Sequence, residues 1–501
     1  MLKGSHWMKV TLGVDIGSSS SKAVLVDDRG GIVRSAHREH DVVRPHPGWV
    51  EMDASIWWSE FTELVAELLE PGNAEVTAIG LSGMGPCVLL TDADGHPLRP
   101  AILYGVDTRA VMEIDELTAE FGADEIIERG GSALTTQAVG PKLAWLAKHE
   151  PTVMERARML LMPASWLAFH LTGTYTLDFH SASQCSPMFD RHALNWYRPW
   201  TVAIAPGLEL PELCWAGDIV GYTDGNVAGL AAGIPVIAGT IDAWNEALSV
   251  GAQTAGDLMV MYGTTMFLIA TVDDVVTTPS MWGTVGALEG THNLAGGLAT
   301  SGAITTWLRD LVGSDFTSLL AEARDSGPGA NGLLMLPYFA GERTPIMDPD
   351  ARGAILGLTL SHTRGDLYRA TLEATALAVR HNLDALAEAG VRPQRIVAVG
   401  GGTEGHLWTQ IVSDVTGLPQ IMPTVTIGAS YGAAWLAARA LAPADINEWN
   451  PPASVVVPNP AVADSYNELY ELYRKLQVGV SNISHALAQR QLTHTETNGK
   501  P

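Results

Sequence analysis

At 501 residues with a formal net charge of −25 and a pI near 4.9, the chain is too acidic to offer the basic face that nucleic acid or an anionic membrane requires. Its 47% hydrophobic and 17% charged residues are those of a globular protein of two or more domains, not of a disordered one. Cys87, Cys185 and Cys214 lack metal-ligand spacing, no run of 18 apolar residues or signal peptide is present, and a cytoplasmic enzyme with reduced thiols is expected.

Residues 1–7, MLKGSHW, read as a non-native extension with Met8 as the natural start. LGVDIGSSSSKAVLVDD (12–28) then reads as a β-hairpin with two unusual features. Asp15 interrupts the apolar first strand, and a buried carboxylate needs a partner such as a metal ion. The turn carries Gly17 and four serines, Ser18–Ser21, before Lys22, so it presents hydroxyls and backbone N–H groups suited to phosphate oxygens. An ordinary hairpin with an acidic residue at its edge is the alternative.

A third strand is predicted over 32–40, then a helix from Asp53 whose Trp57, Phe61, Leu64, Val65 and Leu68 share one face as core residues. VTAIGLSG (76–83) reads as a buried strand, 108–121 as a second helix, and 141–200 as helical and tryptophan-rich. IPVIAGT (234–240) leads into Asp242, which opens a helix-like segment; a helix-dipole carboxylate is one reading and a catalytic acid the other. DLMVMYGTTMFLIA (257–270) repeats the opening grammar, with Gly263, Thr264 and Thr265 in the turn, some 245 positions on. Two such devices suggest two similar halves, each with a phosphate-facing hairpin.

Residues 336–360 read as loop ending in a strand, followed by a helix from Thr363 that stops at Gly390. Residues 395–417 read as strand, glycine loop and helix, and GASYGAAWLAARAL (428–441) as a tightly packed small-residue helix. A proline-rich linker is predicted over 443–462, a last helix over 463–488 and a frayed polar tail over 489–501. Gly400, Gly402 and Gly405 fit G-x-G-x-x-G, but no acidic ribose partner follows and no βαβ run is evident, so a loop for an adenine ring is preferred to a dinucleotide site. GSSSSK (17–22) is no P-loop, because Ser21 stands where glycine should precede the lysine. His170 reads as structural.

Together these stretches resemble the FGGY family of carbohydrate kinases from Met8 to about Ala442. Gly353, Ile355, Gly357, Leu358, Asp366, Leu367 and Ala370 fit its C-terminal signature, and PGWVEMD (47–53), PKLAWL (141–146), LPYFAGERTP (336–345) and DPDARG (348–353) look like family blocks. The resemblance implies an α/β, two-lobed actin/hexokinase-like (ribonuclease H-like) fold with a nucleotide cleft between lobes. It divides the chain into a sugar-binding and catalytic lobe (8–248), an ATP-binding lobe (249–442) and a linker, terminal helix and tail (443–501). It implies transfer of the γ-phosphoryl group of ATP, with Mg2+, to a sugar or polyol hydroxyl. By position Asp15 looks like the metal-side acid, Ser18, Ser19 and Lys22 the first phosphate hairpin, and Gly263 and Thr264 the second. Gly302, Gly401 and Gly402 then approach the nucleotide, Asp242 looks like the base, and Met84, Gly85 and Tyr104 lie with Asp242 at the sugar.

The sugar end departs from known patterns. Ser82-Gly83 runs into Met84-Gly85-Pro86-Cys87 without the Gln-Met-His-Gly usual in xylulose kinases, and Tyr104-Gly105-Val106-Asp107-Thr108-Arg109 carries tyrosine and one extra residue in place of Trp-x-Asp-x-Arg. The Arg-Glu pair of glycerol kinases is also missing. The expectation is a small-molecule ketose or sugar-alcohol acceptor, nearest to xylulose, with ribulose, erythrulose, erythritol or a glycerol-like polyol as alternatives. A catalytically inactive ATP-binding sensor is the non-enzyme alternative. No nucleic acid or membrane partner is expected, and a homodimer is left open.

Overall fold

The computed structural model describes residues 7–498 apart from Ala228, with side chains to Gln491; residues 1–6 and 499–501 lie outside the described residues. Trp7, the last residue of the expected extension, is exposed.

Among the described residues two seven-stranded sheets carry the fold. In the first, Met8–Ile16 runs antiparallel to Ser20–Val26, which pairs antiparallel with Ile32–Glu39. On its other side Met8–Ile16 runs parallel to Ala74–Gly83, which in turn pairs in parallel with Pro235–Ile237 and Thr240–Ile241. In the second sheet Asp257–Tyr262 pairs antiparallel with Met266–Val272, and that strand with His292–Leu298. Its parallel neighbours are Arg395–Val399 and then Gln420–Pro423. Both sheets thus share one strand order, with the second strand alone reversed among the five. This is the duplicated ribonuclease H-like arrangement, and the two glycine-hydroxyl hairpins occupy the same place in each copy.

The central strand of the first sheet is buried on both faces, which is why it reads as nearly continuous apolar sequence. Leu12, Val14 and Ile16 share a core with Trp57, Phe61, Leu64, Val65 and Leu68 of the helix Ser55–Leu69. On the opposite face the helix Ala429–Leu441 lies against the strands at unusually close range. A Cβ on Gly13 would fall 2.0 Å from the Ser430 carbonyl oxygen, and one on Gly80 1.9 Å from that of Ala433. Gly13 and Gly80 are partners in register, so together they form a groove that only glycine can floor. Gly432 on the same helix is pressed as closely onto Asn245 of the helix Asp242–Ser249.

Three expectations are corrected. Residues 443–462 are not a structureless linker: Ile446–Trp449 is helical and Pro452–Val456 adds an antiparallel edge strand to the second sheet. Proline is tolerated there because an edge strand need not donate from every N–H. The last helix runs Ala463–Asn498 rather than fraying after residue 488. The glycine loop at 400–405 does lie in a parallel strand–helix–strand unit, Arg395–Val399, Leu407–Thr416 and Gln420–Pro423. Among the described residues no helix is long and apolar enough to cross a membrane.

Candidate active site

One row of sheet register builds the centre of the site. Lys22 stands opposite Asp15, Asp15 opposite Ser82, and Ser82 opposite Thr240. The chain ends its short strand at Ile241 and turns at once into the helix Asp242–Ser249, so Asp242 emerges beside the row that holds Asp15. Asp242 Oδ1 accepts the Ala243 N–H at 2.7 Å.

Burial raises the Asp15 carboxyl above its ordinary range, partly countered by the Ser82 hydroxyl and the Lys22 charge. Burial raises Asp242 as well, with the negative charge of Asp15 as the next cause and the Ala243 N–H opposing them. Glu246, one turn further along the helix, is pushed up to about 7 by burial and by Asp15, with Lys22 acting against them. Asp15 raises both Asp242 and Glu246, and Lys22 opposes the rise at Asp15 and Glu246, a charge balance that a cation would relieve. Asp15 Oδ1 is buried with no hydrogen-bond partner among the described residues, so it is the oxygen of this group that suits a hard divalent ion, although the three carboxylates do not close into a chelate. Glu246 is the member of this cluster that sequence reading missed; its spacing of four from Asp242 on one helix was the available signal.

Above the row, the Tyr104 hydroxyl lies 3.5 Å from Ser18 Oγ, and burial raises it, with Asp242 adding to the rise and Arg343 opposing it. Lys142, within the PKLAWL block, donates to the Thr136 carbonyl at 2.6 Å and the Tyr104 carbonyl at 3.3 Å, and burial lowers it to about 8. Gln137 Oε1 accepts the Gly105 N–H at 2.6 Å. These contacts fix the backbone at Tyr104 and Gly105. Asp107 and Arg109 turn away into a buried ion pair of 2.8 Å, with the guanidinium stacked on Trp49.

Met84 does not offer its side chain to the cleft: it is 1% exposed and belongs to the first core, while its N–H donates to the Ile16 carbonyl at 2.7 Å. Gly85 lets that loop lie on Ile241, since a Cβ there would meet Ile241 Cγ1 at 2.7 Å.

In the second half, the Gly263 carbonyl accepts the Gly302 N–H at 2.9 Å, and the Thr264 carbonyl accepts those of Ser301 and Ala303 at 3.0 Å each. Gly302 therefore serves to dock the helix Gly302–Val312 on the hairpin tip. Of the glycine-loop pair, Gly401 faces open space, whereas a Cβ on Gly402 would meet the Trp408 ring at 2.8 Å. Gly401 can border a ligand; Gly402 is held by packing. Ser18, Ser19 and Lys22 lie on the first hairpin, with Ser19 and Lys22 exposed.

A cavity of about 50 Å³ sits between the halves, reaching from Gly85 and Ile241 to Phe267, Trp282 and Thr284. Of its second-half residues Phe267 lies in the predicted hairpin, whereas Trp282, Gly283, Thr284 and Ala295 carried no motif that sequence reading could use.

Residues 10–249 match the N-terminal domain model of the FGGY family of carbohydrate kinases and residues 258–441 its C-terminal domain model. The xylulose kinase of Escherichia coli K12 is 29% identical over 449 residues, covering 86% of this chain and 90% of that protein. Glycerol kinase 2 of Streptomyces avermitilis is 30% identical over 460 residues, covering 86% and 88%. The crystal structure of xylulose kinase from Rhodospirillum rubrum superposes with a TM-score of 0.89 at 31% identity, covering 95% of this chain and all of that one.

Proposed function

The chain belongs to the FGGY family of carbohydrate kinases, an ATP-using sugar phosphotransferase with an alcohol acceptor, and from that premise we propose that its acceptor is a xylulose-like ketopentose or a closely related sugar alcohol. The observation that carries the reading is the register row from Lys22 through Asp15 and Ser82 to Thr240, two residues before Asp242, in a chain that repeats the glycine-hydroxyl hairpin in its second sheet. The xylulose kinases among the relatives favour a ketopentose, and the glycerol kinases keep a shorter polyol in view.

In this reading Asp242 accepts the proton of the acceptor hydroxyl as that oxygen attacks the γ-phosphorus of ATP. The bond from that phosphorus to the bridging oxygen breaks, ADP departs, and the proton on Asp242 passes to solvent. Phosphoryl transfer needs positioning and charge neutralisation more than covalent help. Ser18, Ser19 and Lys22 on one side and Gly263 and Thr264 on the other hold the phosphates, and Gly401 borders the adenosine. Asp15, with Glu246 near it, would hold Mg2+, which when bound neutralises charge on the phosphates. We assign residues 8–248 to the acceptor and the base, 249–442 to ATP, and the remainder to the edge strand and terminal helix.

The test is ADP release with Mg-ATP across ketopentoses, tetritols, pentitols and glycerol. Stimulation by a ketopentose above all others is the expected result; a preference for glycerol would overturn the substrate assignment, and ATP turnover indifferent to every acceptor would overturn the transfer.

A further inference from the structure

The helix Ala463–Asn498 carries two apolar faces, and the fold uses one of them. Tyr466, Tyr470 and Tyr473 are buried in the core of the second half. Beside them Leu472, Leu476, Gly479, Val480, Ile483 and Leu487 follow one another at helical spacing. Leu472 is 53%, Ile483 61% and Leu487 48% exposed, and Leu476 and Val480 are only partly covered. The steps along this stripe are four, three, one, three and four residues, so it reads the same in both directions from a midpoint between Gly479 and Val480. A contact between identical surfaces pairs residue i with j and j with i. Two such helices laid antiparallel satisfy that rule: Leu472 meets the partner's Leu487, Leu476 the partner's Ile483 and Gly479 the partner's Val480.

Gly479 marks the same midpoint independently. A Cβ there would meet nothing within 4 Å, so the chain's own packing does not call for glycine, which costs about 1 kcal/mol against alanine inside a helix. A position without a side chain at a two-fold axis lets two helices approach closely. The charges agree with this register. Glu468 and Arg490 are exposed and form no ion pair among the described residues, and the antiparallel pairing sets Glu468 one residue from the partner's Arg490 at each end of the stripe. The helix is also held in place beforehand: the Tyr473 hydroxyl lies 2.7 Å from that of Tyr338, and His485 Nε2 lies 2.8 Å from Asp348 Oδ2. Pairing therefore orders little that is not already ordered.

We infer that two copies of this chain associate through the stripe, their terminal helices antiparallel about a two-fold axis between Gly479 and Val480. The helix packs against Leu334–Leu336 and Leu407–Thr416, so the contact joins second half to second half. From Leu472 to Leu487 the stripe runs about 22 Å. A contact of that length lies at or below the about 1,200 Å² of the smaller stable interfaces, so the pairing is reversible, with a Kd of about 1–100 µM.

The experiment is sedimentation velocity of the full chain from about 1 to about 200 µM, where monomer at the low end and dimer at the high end are expected. Ile483→Glu and Gly479→Arg change positions exposed in the single chain, and each sets like charges against one another near the axis. Both are expected to weaken association about tenfold or more while the far-UV circular dichroism stays that of the parent. If one of them loses that spectrum, the other carries the test. Glu468→Arg alone should weaken the dimer about three- to tenfold, and adding Arg490→Glu in the same chain should bring it back to within about twofold, because the symmetric register restores both pairs at once. A parent that stays monomeric at the highest concentration overturns the inference. So does a dimer that survives both Ile483→Glu and Gly479→Arg, or that is broken instead by Leu360→Glu on the other exposed apolar segment, Leu356 to Leu360. A double charge swap that restores nothing overturns the antiparallel register.

Discussion

Replacing Asp242 by asparagine separates what the carboxylate does for turnover from what it costs the fold. The amide side chain would keep an oxygen able to accept the Ala243 N–H, which the native carboxylate takes at 2.7 Å, while losing the charge held beside Asp15 and Glu246. A general base contributes about 10²–10⁴-fold, so kcat should fall by that factor with the KM for ATP nearly unchanged. The stability effect runs the other way. Burial and the neighbouring charge raise the folded-state carboxyl above its ordinary 3.8, so the wild type loses stability as pH climbs above that value and the loss levels off above the raised value. Each unit of such a shift is worth about 1.36 kcal/mol, and part of it is recovered by relaxation around Asp15. The variant without nucleotide should therefore be about 1–3 kcal/mol more stable than wild type at pH 8 and no more stable near pH 4. A coupled ADP-release assay and denaturant unfolding across that pH range read both quantities. Turnover within a few fold of wild type would refute the base; equal stability at pH 8 would refute the picture of a carboxylate crowded by like charge.

The other variants probe packing and binding separately. Gly401→Ala places its methyl in open space, so stability should change by less than about 0.5 kcal/mol while the KM for ATP rises; an unchanged KM would remove Gly401 from the nucleotide site. Gly13→Ala drives a methyl to 2.0 Å from the Ser430 carbonyl and should cost about 3 kcal/mol or more in urea unfolding. Asp366 closes a capping box with Thr363 at the start of the helix Arg364–Glu388; burial pushes its carboxyl up, but hydrogen bonds from Ser326, Thr363 and Asn331 outweigh that and hold it below the usual range. Its contribution is therefore present above the ordinary carboxylate range and lost as pH falls, so Asp366→Ala should cost about 1–3 kcal/mol at pH 7 and progressively less below about pH 3.

Local grammar made both hairpins legible, because an acidic residue or a glycine with hydroxyls stands out inside an apolar run. Thr363 and Asp366 announced their helix for the same reason. Residues 443–462 were misread because proline density signals a linker, whereas Pro452 sits on an edge strand where its missing N–H costs little. The strand–helix–strand unit around Gly400 escaped notice because Gln420–Pro423 is short and ends in proline. Glu246 was passed over because a carboxylate inside a helix carries no local signal; the packing of Gly428 against it and the proximity of Asp15 are what mark it. Trp282 and Thr284 were beyond reach in sequence: they share a cavity wall with residues of the first half only because the two halves meet along that edge, and no local pattern encodes a meeting of distant surfaces.

The helix Ala429–Leu441 has a consequence for how the molecule is made. It is encoded after almost all of the second sheet, yet it fills the glycine groove of the first. During synthesis the first sheet therefore waits, with Gly13 and Gly80 bare, until nearly the whole chain has been translated, and the two halves cannot mature one after the other as independent units. A nascent chain stalled near residue 300 should stay open to protease along Val10–Val14, and protection should arrive only once residue 441 can reach back. Protection already complete in the shorter chain would show that the groove closes without its helix.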